Sequence, residues 1–187
     1  EGTSGPVFDG LCFTVHQGER VFLCGENGCG KSSLIHAVLA DRAPDRQEAF
    51  RKLGLVERGI LETASGLVIS YVNQDTSFLK GSLREFCRDR GLEESLFCAV
   101  LRQLDLERTQ FTKPMEDYSE GQKKKVLLAA SLMTPAHLYL WDEPLNYIDV
   151  FSRMQIEKLL LACRPTMLVV EHDVRFRETV ATKVVEL

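Results

Sequence analysis

No two cysteines in this sequence are spaced as CxxC, and the six present (Cys12, Cys24, Cys29, Cys87, Cys98 and Cys163) show no zinc-ligand spacing. Most stand beside Phe, Leu or Val and read as small reduced core residues, which fits a cytosolic protein. Excess positive charge is missing too. A net charge of -4 gives no global electrostatic ground for nucleic acid or an anionic membrane as partner. Any such contact needs a local basic patch or chain outside this sequence. No apolar run approaches the roughly 20 residues that cross a bilayer, so the chain is expected to be soluble. Nor does a repeat, a low-complexity tract or a Gly/Ser linker divide it. Its 187 residues, 44% hydrophobic, suffice for one globular domain, residues 1–187, with a core of its own. The opening EGTSGPVFDG is neither a signal peptide nor an initiator methionine, and suggests an excised domain.

What is present is an order of strands and helices. Val21 to Cys24 is a short apolar run closed by glycine, and a helical pattern follows from Ser33 to Leu39. Residues 41–58 read as a helix and surface loop. Gly59 to Glu62 and Leu67 to Val72 flank Ala64-Ser65-Gly66, which predicts a β-hairpin. Residues 78–118 carry helical periodicity alone and predict a small all-helical subdomain. From 119 onward helices alternate with strands at His137 to Trp141, Thr166 to Val170 and Val184 to Leu187. Such alternation implies an α/β fold, a parallel sheet with flanking helices that binds ligands at the carboxyl ends of its strands.

Between the first strand and the first helix lies Gly25-Glu26-Asn27-Gly28-Cys29-Gly30-Lys31-Ser32, followed by Ser33, which matches the phosphate-loop pattern G-x-x-x-x-G-K-[ST]. Glycines let backbone N–H groups approach phosphate oxygens closely, and the helix N-terminus favours the anion. Lys31 would bridge the β- and γ-phosphates, and the Ser32 hydroxyl would ligate Mg2+. Cys29 contributes a backbone N–H in this reading.

A second apolar run, His137 to Trp141, ends in Asp142-Glu143-Pro144. Asp142 at the strand tip is placed to hold Mg2+ through water, and Glu143 to polarise the attacking water as general base. Tyr139 and Trp141 read as core. Gln74 and His172 each follow a predicted strand and would share the same ligand-bearing edge, one toward Mg2+ or water and the other toward the γ-phosphate. His16, His36 and His137 read as structural.

The stretch YSEGQKKKV is less simple. Ser119 makes a reasonable N-cap, yet Lys123, Lys124 and Lys125 then lie in the first two turns, where the helix dipole disfavours cations. The bland reading is a solvated charged face with a Glu120–Lys124 pair at i,i+4.

Together the ordered set GENGCGKSS, VNQ, YSEGQ, LYLWDEP, NYID and VEHD resembles the ATP-binding cassette ATPases of the P-loop NTPase class over nearly the whole chain. The resemblance makes residues 25–33 the Walker A loop, Gln74 the Q-loop and residues 118–122 the signature. It makes Asp142 and Glu143 Walker B, leads Asn146 to Asp149 into the D-loop and makes His172 the switch histidine. It also implies two cassettes packed head to tail, with Ser119, Gly121 and Gln122 of one capping the ATP bound by the other. That partner's triphosphate would then offset the lysines, whose cluster should destabilise a lone domain. Two departures stand out: Glu120 replaces the first signature glycine and Tyr118 a leucine. No aromatic precedes Phe8 to stack on adenine, so weak nucleotide affinity and weak hydrolysis are expected of this fragment.

DEPLNYID and the ending EHDVRF…TVATKVVEL resemble the ABC-F subfamily, as does the short span from Gln74 to Ser119. That subfamily has two cassettes in one soluble chain and acts on ribosomes. Leu145, Tyr147 and Ile148 look most like its antibiotic-resistance, ribosome-protection branch, and the chain most like a second cassette. The alternatives are the ATPase subunit of a membrane transporter and a chromosome- or repair-type ATPase head. The last is disfavoured because no coiled coil fits between 74 and 119.

Overall fold

In the computed structural model, which describes residues 10–54 and 59–187, five parallel strands form one sheet. They are β1 (Arg20–Cys24), β2 (Ile69–Val72), β3 (Leu138–Asp142), β4 (Met167–Val170) and β5 (Lys183–Glu186), in the order β2-β3-β4-β1-β5. Val, Leu and Phe dominate β1 and β4, and every residue of those two strands is buried. A strand covered on both faces cannot alternate, so its sequence is a continuous apolar run.

The register positions the site. Leu23 of β1 lies opposite Val170 of β4, which lies opposite Asp142 of β3. The carboxyl ends of three adjacent strands therefore finish in one row, and their outgoing loops emerge together. Val72 of β2 pairs with Trp141, one step short of that row.

Helix α1 (Lys31–Asp41) covers one face, packing Ile35 and Val38 on Val21, Leu23, Leu140 and Leu168. Helix α2 (Arg46–Lys52) follows, capped by the Asp45 side chain. The other face is thicker. There α5 (Glu120–Met133), α6 (Val150–Cys163) and α7 (Val174–Val180) bury Val126, Leu128, Ile156, Leu160 and Phe176 around Trp141, Phe22 and Val169. Residues 78–118 hold α3 (Leu83–Arg90), α4 (Glu94–Gln103) and two 3-10 turns (Arg108–Gln110 and Met115–Asp117), with no strand. They join the same core through Phe97, Leu101 and Leu104.

Side-chain caps start every helix except α1. Ser82 with Glu85 and Ser119 with Gln122 form capping boxes, while Glu93, Asp149 and Asp173 accept from first-turn N–H groups. Each such cap contributes about 1 kcal/mol. Helix α1 begins instead at Gly30, with φ 100° and no side-chain cap. Its first N–H groups stay available to a ligand.

The expected hairpin does not form. Residues 60–64 are not strand, and Leu67 only closes a turn onto the Ala64 carbonyl, 3.2 Å away. The Val68 carbonyl accepts from the His137 and Leu138 N–H groups at 2.8 and 3.2 Å. Strand β2 instead pairs in parallel with β3 and forms the edge of the sheet, and residues 60–64 run past it without strand geometry. Among the described residues no helix is long and apolar enough to cross a membrane.

Candidate functional site

The loop after β1 turns through three glycines with positive φ: Gly25 at 149°, Gly28 at 84° and Gly30 at 100°. At Gly25 the space is also full, since a Cβ would lie 2.8 Å from both Cys29 Sγ and the Leu187 carbonyl oxygen. Lys31 sits inside this curl, 7% exposed, and its Nζ donates to the Gly25 and Glu26 carbonyls at 2.9 and 2.8 Å. No carboxylate of the described residues pairs with it. A buried ammonium held only by neutral dipoles keeps charge available for an anion, and the uncapped N-terminus of α1 points the same way. Of the remaining loop residues, Asn27, Gly28 and Cys29 stay at least partly accessible.

Across the sheet rim, Ser32 and Gln74 converge on one carboxylate. Ser32 Oγ donates to Asp142 Oδ1 at 3.1 Å, and Gln74 Nε2 lies 3.4 Å from the same oxygen. Asp142 is 3% exposed. Its charge reaches inward as well, since burial and then Asp142 push the Tyr71 phenol up to about 12. The Ser32 hydroxyl and the Asp142 carboxylate are hard oxygen donors beside a phosphate loop, a pairing that suits Mg2+.

Glu143, one residue on, turns out of the strand with φ 48°. Its carboxylate accepts from Asn146 Nδ2 at 2.8 Å and lies 3.6 Å from His172 Nε2. Gln74, Glu143 and His172 therefore surround the same rim as Lys31 and Ser32. Reading along the sequence missed what fixes them. Glu171 is buried, and it accepts from the N–H groups of His172 and Asp173 with one oxygen and of Leu145 with the other. Arg153 of α6 donates to the Ile148 and Leu145 carbonyls and pairs with Asp173. A carboxylate flanked by Val170 and His172 and an arginine four residues after an N-cap carry no distinctive pattern, so only the fold exposes their roles.

Residues 118–122 lie at the N-terminus of α5. Tyr118 is a core residue whose hydroxyl donates to the Gln110 carbonyl at 2.8 Å, and burial pushes its phenol up to about 12. Ser119 and Gln122 are engaged with each other as the capping box. Gly121 lies against the loop after β3, where a Cβ would come within 2.4 Å of the Tyr147 carbonyl oxygen. Glu120 turns toward Thr76, whose hydroxyl donates to it at 2.5 Å, and toward Lys123 at 3.1 Å.

The lysine cluster is neither a solvated face nor a burden that only a partner's nucleotide relieves. Lys124 is 2% exposed, and its Nζ donates to the Asn73 carbonyl at 2.8 Å. Lys125 is buried too, pairing with Asp149 at 2.7 Å and reaching the Asp105 carbonyl at 3.4 Å. The unfavourable end of the helix is thus compensated within the domain by acids and carbonyls that face it.

The chain matches the ABC transporter family profile over residues 8–146. It is 27% identical over 177 residues to the ATP-binding protein Uup of Buchnera aphidicola, covering 90% of this chain and 28% of that protein. To the ribosome protection protein VmlR of Bacillus subtilis it is 28% identical over 178 residues, covering 92% and 30%. It thus spans about a third of the length of the curated relatives it matches. Among solved structures, an ATP-binding subunit of an ABC transporter superposes with a TM-score of 0.73 at 22% identity, covering all of this chain and 81% of that one. The archaeal ribosome recycling factor aABCE1, solved with a ribosomal stalk protein, gives 0.69 at 24%, covering 92% and 32%. At those identities the structural likeness speaks for the fold, that of the P-loop ATPases. The family match covers most of the sequence, and the chain belongs to the ABC transporter family of ATP-binding cassette domains.

Proposed function

We propose that this domain is an ATP-hydrolysing cassette of an ABC-F protein that acts on the ribosome. The observation that carries the catalytic part is the convergence of Ser32 and Gln74 on Asp142 beside the Lys31 loop. In this reading the N–H groups of residues 25–33 and the Lys31 ammonium bind the β- and γ-phosphates. Ser32, Gln74 and Asp142 would hold Mg2+, which when bound withdraws charge from the phosphates. Glu143 takes a proton from the attacking water, and His172 orients against the γ-phosphate with Glu143 as its neighbour. Ser119, Gly121 and Gln122 face the nucleotide of a second cassette, in the same full-length chain or in a second copy.

The ribosomal part rests on the relatives, since one is a ribosome protection protein and one structural neighbour is a ribosome recycling factor. Antibiotic protection and a cytoplasmic location belong to the same proposal. The test is the full-length protein carrying Glu143→Gln. It should bind ATP, lose hydrolysis by about a hundredfold or more, as expected when a general base is removed, and co-sediment with ribosomes only when ATP is present. Hydrolysis at the parental rate would remove Glu143 as the base. Co-purification with membranes in place of ribosomes would favour the ATPase subunit of a transporter.

A further inference from the structure

Two side chains of α5 grip the segment that carries Gln74. Thr76 donates to Glu120 at 2.5 Å, and Lys124 donates to the Asn73 carbonyl at 2.8 Å. The two contacts bracket Gln74 on both sides along the chain and lie one helical turn apart on α5. The Thr76 hydroxyl and the Lys124 ammonium are carried by residues only 5% and 2% exposed, while the Glu120 side chain is 52% exposed, so the Lys124 contact is the better shielded from water. Burial pushes the Lys124 ammonium down, and the carboxylates of Asp142, Glu143, Glu171 and Glu120 oppose that. Glu120 is also the residue that departs from the usual signature. In this chain its carboxylate is turned toward Thr76 and Lys123, inside its own domain.

We propose that Glu120 and Lys124 are positioning residues of the phosphate site, clamping residues 73–76 onto the first turns of α5 and so holding the Gln74 amide against Asp142. This rests on the ATPase reading above for its catalytic consequence, but not for the clamp itself. Without it, Gln74 has one 3.4 Å contact to fix it, at the weak end of hydrogen-bond geometry. A charge-assisted bond to the backbone on one side and a short, part-buried hydroxyl–carboxylate bond on the other restrict the loop more strongly. The clamp also joins the helix offered to a second cassette to the Gln74 segment of its own phosphate site. A shift of α5 would then pull Gln74 with it.

The experiment uses the full-length protein with Thr76→Val, Thr76→Ser, Lys124→Met and Gln74→Ala, singly and in pairs. Amide hydrogen exchange without nucleotide comes first. Thr76→Val and Lys124→Met should speed exchange across residues 73–76 by about tenfold, beyond any uniform increase across the domain, while exchange at residues 25–33 changes little. Steady-state hydrolysis follows, where both variants should lower kcat about tenfold with KM for ATP within about twofold. Thr76→Ser, which keeps the hydroxyl, should restore the parental rate. In the Gln74→Ala background either substitution should add less than about a twofold loss, because the clamp acts through Gln74. Unchanged exchange at 73–76, or rate losses that multiply with Gln74→Ala, would overturn the proposal. If Lys124→Met does not fold, the Thr76 pair decides alone. A parental protein that neither binds nor hydrolyses ATP would defeat the ATPase reading, while the exchange result would still decide the clamp.

Discussion

Gly121 leaves no room for a methyl group. A Cβ there would meet the Tyr147 carbonyl oxygen at 2.4 Å, and the obstacle is backbone, which cannot swing aside. Gly121→Ala should therefore cost about 1–3 kcal/mol, the usual penalty for overpacking, measured by chemical denaturation. Gly66→Ala, where a Cβ would meet nothing within 4 Å but φ is +71°, isolates the backbone part of such a cost. Asp149 supplies a second residue-scale test. Burial raises its carboxyl, but bonds from Lys125, the Ser152 N–H and the Ser152 hydroxyl outweigh that and hold it well below its ordinary 3.8. A depressed carboxylate lends stability that is fully present above its unfolded value and is lost as pH falls through the folded one. Stability should thus fall on acidification below about pH 4, the unfolded aspartate range, and the fall should shrink in Asp149→Asn. An identical acid limb in both proteins would show that the Lys125–Asp149 pair contributes nothing.

At the scale of elements, α5 is the piece whose chemistry changes most between sequence and structure. Read as a string, KKKV is a charge run at the wrong end of a helix. Folded, it presents Lys123 to Glu120, Lys124 to the loop after β2 and Lys125 to the cap of α6. Replacing all three with glutamine should lower stability by about 1–3 kcal/mol, from the loss of hydrogen bonds to charged groups. The unfolding midpoint in denaturant reads this directly, and an unchanged or raised midpoint would restore the solvated-face reading. The contrast marks what sequence makes legible. Phosphate-loop spacing, the strand ending in Asp142 and the alternation of strands and helices are local patterns, and each survives in the fold. The partners of Lys124, Lys125, Arg153 and Glu171 depend on which loops the sheet order brings together, and no local spacing encodes that. The pairing of β2 is likewise non-local: its partner is β3, far off in sequence, and not the segment before Ala64-Ser65-Gly66.

For the whole molecule, the sheet places the ends of β1, β4 and β3 in one row, with the loop of β2 alongside. Lys31, His172, Asp142 with Glu143, and Gln74 thus reach one rim from four strands. The same rim carries the loop 145–149, where Tyr147 is 78% exposed with φ 66° beside Gly121 and the α5 cap. In the proposed reading the domain is half of a machine, with its own phosphate site on one side and the α5 terminus facing a second cassette on the other. The decisive measurement is calorimetric titration with Mg-ATP of the full-length parental protein and of Lys31→Ala and Asp142→Asn. The parental protein should bind, removal of the buried ammonium should cost about 3 kcal/mol or more, and Asp142→Asn should bind Mg-ATP more weakly than the parental protein does. Binding of equal strength in all three proteins would contradict a phosphate site at this rim.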